Sequence, residues 1–101
     1  MKLTISRTKI KPDQLESISA AGKRVLDALE REQPQGIRYA SYALPDGVSF
    51  VTFVAVDDGI DNPLLALPEY RAFTENFKNW IAEPPIVEQL QLTTGVSYRF
   101  F

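Results

Sequence analysis

The side chains able to do chemistry in this chain are few in kind. Its 101 residues include no cysteine and no histidine. That removes thiolate nucleophiles, the commonest general base, the commonest zinc ligand and the usual proximal haem ligand. Arginine, amide and aromatic groups remain. Arg38 is the most pointed of them, because it falls in the alternating stretch Ile37-Arg38-Tyr39-Ala40-Ser41-Tyr42. On a covered sheet face its guanidinium would need a carboxylate, a phosphate or a ligand as partner; on an exposed edge strand it would need none. Both readings stand on the sequence. If Leu44 pairs with Val48 across Pro45-Asp46-Gly47, then Tyr42 faces Phe50, Ala40 faces Thr52 and Arg38 faces Val54, while Tyr39, Ser41, Val51 and Phe53 share the other side. That register makes Arg38, Tyr42, Phe50 and Thr52 one cluster of candidate ligand-binding residues on the sheet face away from the helices. Further along, Tyr70, Phe73, Phe77 and Trp80 recur at helical spacing, which reads first as core. Asn76 borders that stripe and Trp80 ends it, so either could turn a polar edge toward a cavity.

Other patterns carry less. Asp57, Asp58, Asp61 and Asn62 concentrate oxygen ligands that a hard cation could use, but their spacing misses the calcium-loop pattern and also suits a solvated turn. No metal is expected. No pair of carboxylates is marked for acid–base work, and there is no Gly-rich phosphate loop or nucleophile elbow. The segment Asp46-Gly47-Val48-Ser49-Phe50-Val51-Thr52-Phe53 resembles the signature of the RNA recognition motif, with Gly47, Phe50, Val51 and Phe53 matching. Its departures fall on the chemistry. Asp46 replaces the phosphate-binding cation, Val48 replaces a stacking aromatic, and Thr4 stands where a second ring is needed. A buried apolar strand after a glycine turn explains the segment more simply, so RNA binding stays a distant alternative and no nucleic-acid partner is expected.

The elements that must position these residues follow in order. Lys2 to Lys9 alternates as a strand, with Leu3 and Ile5 on one face and Thr4 and Ser6 on the other. Arg7 and Lys9 read as charges guarding a sheet edge. Pro12 opens a helix with Asp13 and Glu16 in its first turn, where the helix dipole favours them. Leu15, Ile18, Gly22, Val25, Leu26 and Leu29 make its apolar stripe, close helix–sheet approach accounts for Gly22, and Gln33-Pro34-Gln35-Gly36 ends it near Glu32. The hairpin is next. After the loop at 57–63, Leu64 to Leu67 is too apolar for idle linker and should cover an opening of the core. A second helix starts at Pro68 or Glu69 and stops before Pro84-Pro85. Ile86 to Phe101 makes the last strand, with Leu90, Leu92, Val96, Tyr98 and Phe100 in phase and a bulge or bend at Thr93-Thr94-Gly95.

This β-α-β-β-α-β order predicts an α+β domain over residues 1–101: a ferredoxin-like antiparallel four-stranded sheet with two helices on one face. Val48 to Val56 is apolar on both faces, so something besides the helices must cover the second. A chain this short buries a modest share of its surface, and a second copy is the natural cover. Thirteen acidic against eleven basic residues, net −2, offer nothing to a polyanion or an anionic membrane. No signal-peptide run and no membrane-spanning stretch is present, so a cytoplasmic protein is expected, with no membrane partner.

Taken whole, the chain resembles the dimeric α+β-barrel superfamily, in particular the antibiotic-biosynthesis-monooxygenase-like domain. The resemblance rests on the element order, the two-sided apolar strand and the pattern Leu67-Pro68-Glu69-Tyr70-Arg71-Ala72-Phe73 with Phe77 and Trp80 following. It implies a homodimer formed through the open sheet face, with a cavity between sheet and helices. It also implies that Arg38, Asn62, Tyr70, Asn76 and Trp80 are of the types that some members recruit to oxidise aromatic polyketides with O₂ and no cofactor. Haem-degrading members need an axial histidine, which is absent here. Two function classes result. One is a homodimeric binder of a small hydrophobic or aromatic molecule, without established reaction. The other is a cofactor-independent monooxygenase acting on an aromatic, polyketide-like substrate. Neither calls for a cofactor.

Overall fold

The structure is a computed structural model that describes residues 1–91, 95, 96, 98 and 99. Strand β1 runs Lys2–Lys9, and a short 3-10 turn at Pro12–Gln14 leads into helix α1, Leu15–Glu32. The hairpin of β2, Ile37–Ala43, and β3, Ser49–Val56, follows. A second 3-10 turn, Pro63–Ala66, precedes helix α2, Pro68–Phe77, and β4 is Ile86–Gln91. The strands form one antiparallel sheet in the order β2-β3-β1-β4. This is the ferredoxin-like α+β arrangement that the element order predicts.

Each helix has its local cause. Proline begins the 3-10 turn before α1 and the first turn of α2, where its missing N–H leaves no bond unmade. Helix α1 ends on Gln33 in the left-handed conformation at φ 44°, its N–H donating to the Leu29 carbonyl at 2.8 Å, and Pro34 prevents continuation. Ile18, Ala21, Val25 and Ala28 are its buried residues. The two alanines were absent from the predicted stripe, and their small side chains let the helix come close. Val25 and Ala28 meet Leu64 and Leu67 in the main core cluster, against which Ile37, Tyr39, Val54, Tyr70 and Phe73 pack. Leu64 to Leu67 therefore does close the core. Both helices lie over the sheet face that carries Tyr39 and Val54.

Four expectations need correction. Strand β1 is interior rather than at an edge, since it pairs with β3 on one side and β4 on the other. Its charged end misled because Arg7 and Lys9 are exposed while Leu3 and Thr8 are buried. The hairpin register is slipped by one residue: Tyr42 pairs with Val51, Ser41 with Thr52 and Arg38 with Ala55. Asp46 causes this. Its Oδ1 accepts the N–H groups of Val48 at 3.0 Å and Ser49 at 2.8 Å, so Leu44 pairs with Ser49 across a longer connection. Helix α2 stops at Phe77, short of Trp80 and Ile81, because Ile81 is drawn into a bridge with the fully buried Ile10. Finally, β4 ends at Gln91, and Val96 and Tyr98 are exposed and outside any strand. Leu92, Thr93, Thr94 and Phe100 lie outside the described residues.

Candidate functional site

The slipped register decides which side chains look toward the helices. Ser41 pairs with Thr52, and Thr52 with Ser6 on β1, so three hydroxyl residues stand in one row across β2, β3 and β1. The next row reads Tyr39, Val54, Thr4 and Gln89. These rows floor a cleft of about 940 Å³ that opens to solvent between the sheet and the two helices. Ile18, Gly22 and Leu26 of α1 form one wall, and Tyr70, Phe73 and Phe77 of α2 form the other. Ile60, Asp61 and Asn62 close one end.

The α2 wall is a ladder of rings. Tyr70 and Phe73 stack at 6.5 Å between centroids, and Phe73 and Phe77 at 5.8 Å. Trp80 meets the edge of Phe73 at 5.6 Å, from outside the cleft lining. None of the α2 residues is fully buried. A stripe that periodicity assigns to solid core is thus the side of a cleft. On the floor, the Ser41 and Thr52 hydroxyls lie 3.0 Å apart and bond each other. Burial, and then the neighbouring Tyr70, raises the pKa of Tyr39, and burial raises that of Tyr70. Both phenols are therefore neutral donors near neutral pH.

Of the candidate residues, the cleft gathers Phe50, Thr52, Asn62 and Tyr70. Asn62 also has a local task, its Oδ1 accepting the Leu64 N–H at 3.0 Å to start the 3-10 turn. Arg38 and Tyr42 project from the opposite sheet face, both exposed; Arg38 Nη1 lies 3.4 Å from Met1 Sδ, and Tyr42 packs edge-on to Phe53 at 6.2 Å. Asn76 is exposed and returns its Nδ2 to the Ala72 carbonyl at 2.9 Å. Arg38 is thus not the buried cation that would demand a ligand in this chain. The RNA-like segment divides as well: Phe50 points into the cleft and Phe53 away from it, so the two cannot form one stacking platform. The residues that the sequence left unmarked are Thr4, Ser6, Tyr39, Ser41 and Gly22. Their signal was the small polar side chains on the inner face of β1, where a solid core would place aliphatic ones.

The cleft holds no concentrated charge. Lys2, Lys23 and Asp61 line it from exposed positions. Among the described residues no group of three or more Asp, Glu, His or Cys could hold a metal ion. The arrangement can sandwich a flat apolar body between rings and sheet while offering hydroxyl donors and acceptors from below.

No protein-family model and no curated protein sequence matches the chain. Solved structures do match it. Rv0793 from Mycobacterium tuberculosis superposes with a TM-score of 0.75 at 20% identity, over 95% of this chain and 98% of that one. A protein from Nitrosomonas europaea assigned as an antibiotic biosynthesis monooxygenase gives 0.73 at 20% identity, over 92% and 91%. Another with that assignment, from Bacteroides thetaiotaomicron, gives 0.68 at 18%, over 97% and 95%. The fold is that of the antibiotic-biosynthesis-monooxygenase-like structures. At these identities the likeness is one of fold, and it extends over nearly the whole length of each chain. No described helix is long and apolar enough to cross a membrane.

Proposed function

We propose that this chain forms a homodimer through its open sheet face and binds a small, largely apolar molecule in the cleft between sheet and helices. The cleft carries the reading. Its volume of about 940 Å³ lies within the range of roughly 300–1,000 Å³ usual for small-molecule sites, which pair an apolar lining with a few placed polar groups. The dimer is supported by the second sheet face, where Ile5, Val51 and Phe53 are only half-buried and Tyr42, Ile86 and Leu90 are exposed, on the side away from the cleft and its helices. Light scattering should return about twice the chain mass of 11.4 kDa. Phe53→Arg, which places a charge on that surface, should return the single-chain mass. A wild-type monomer at micromolar concentration would remove the dimer from the reading.

A second reading is a cofactor-independent monooxygenase acting on an electron-rich aromatic. It is favoured by the names that the N. europaea and B. thetaiotaomicron structures carry and by the ring-lined wall of the cleft. Here the substrate's own carbanion would reduce O₂, and neutral donors such as Tyr39 and Tyr70 would stabilise the oxyanion. Aerobic incubation with anthrone, followed by absorbance and O₂ uptake, separates the two. Binding without turnover above the buffer rate supports the first, and turnover supports the second.

A further inference from the structure

Gly22 stands in the interior of an 18-residue helix, where glycine is the least favourable residue after proline. Close helix–sheet approach, the reason expected from sequence, does not explain it, because a Cβ built at Gly22 meets no atom within 4 Å. No left-handed backbone requires glycine there either. What lies beside Gly22 is the cleft. Ile18 and Leu26, one turn to either side, line the same wall and bracket a notch with no side chain in it. Beneath runs the row of Ser41, Thr52 and Ser6. A hydroxyl has one donor and two acceptor sites, so the 3.0 Å bond between Ser41 and Thr52 leaves both with capacity for a ligand. Across the cleft stand Phe73 and Phe77.

On the reading of the cleft as a ligand site, we propose that Gly22 sets its size limit. The ligand is a flat, uncharged ring system bearing carbonyl or hydroxyl oxygens. Its rings lie along Phe73 and Phe77, its oxygens meet the hydroxyl row, and one end occupies the notch over Gly22. A neutral ligand fits because the floor offers hydroxyls and un-ionised phenols, whereas the lysines and Asp61 at the cleft are exposed and of opposite sign.

Two neutral fluorescent ketones test this: prodan, with two fused rings, and Nile red, with four. Wild-type protein should bind both saturably. Gly22→Leu should weaken Nile red by about tenfold or more, as an obstructing group of that size does in an apolar pocket, and leave prodan within about twofold. Gly22→Ala should raise Tm by about 4–8 °C, because the helix gains and nothing is displaced, and should weaken Nile red about threefold. The alanine variant carries the test if the leucine variant does not fold. Unchanged Nile red affinity in the folded variants, a parallel loss of both dyes, or a lower Tm for Gly22→Ala overturns the size limit alone. Wild-type protein that binds neither dye overturns the cleft as a ligand site, and the size limit with it.

Discussion

Asp46 decides the pairing of the hairpin with one carboxylate. Its Oδ2 accepts the Ser49 hydroxyl at 2.6 Å, and its Oδ1 holds the Val48 and Ser49 amides. The Ser49 hydroxyl, and then the two amides, lower its pKa below the ordinary 3.8. A carboxylate depressed in the folded state adds stability that is present above its unfolded pKa and is lost as the pH falls through the folded value. Asp46→Ala should therefore unfold at lower urea than wild type near pH 7. The difference should shrink as the pH falls past the carboxylate range, and a pH-independent gap would show that the bonds do not depend on the ionised form. The turn itself was legible, since Pro45-Asp46-Gly47 can hardly be anything else. The number of residues it spans was not, because that depends on which amides the Asp46 side chain captures. One residue of slip kept Arg38 and Tyr42 on the far face but moved Phe50 and Thr52 into the cleft.

The shortest elements carry weight out of proportion to their length. Leu64 sits in the 3-10 turn Pro63–Ala66 and is fully buried, while its neighbour Leu65 is 61% exposed. Leu64→Ala should cost about 2–5 kcal/mol in urea unfolding, by loss of burial and the cavity left behind. Leu65→Ala should stay within about 0.5 kcal/mol. Comparable costs at the two positions would mean that the turn does not hold the core as described. Apolar density made this segment legible as packing. Periodicity was less informative for α2, because the wall of a cleft and the wall of a core need the same apolar stripe. It also passed over Ala21 and Ala28, whose importance lies in being small. The charged end of β1 suggested an edge, although the pairing that buries a strand is made by its backbone and is indifferent to exposed side chains beyond it.

The sheet order is a property of the molecule that no single segment contains, and it follows here from the β-α-β-β-α-β arrangement as a whole. It puts the first strand between the third and the last. That placement has a bearing on time as well as shape. The β2–β3 hairpin closes locally, whereas β1 must find β3 across α1 and β2, and then wait for β4, which follows the other described elements in the chain. Closing such loops is entropically costly, so long-range pairings form late. Pulse-labelled hydrogen exchange during refolding should protect the hairpin amides before those of Ile86–Gln91; simultaneous protection would argue for a single concerted step. During synthesis the edge of β1 that pairs with β4 is bare until Ile86–Gln91 leaves the ribosome, and an unpaired strand is a template for its neighbours. Arg7 and Lys9, exposed in the finished sheet, are charges of the kind that blunt such an open edge while the sheet is incomplete.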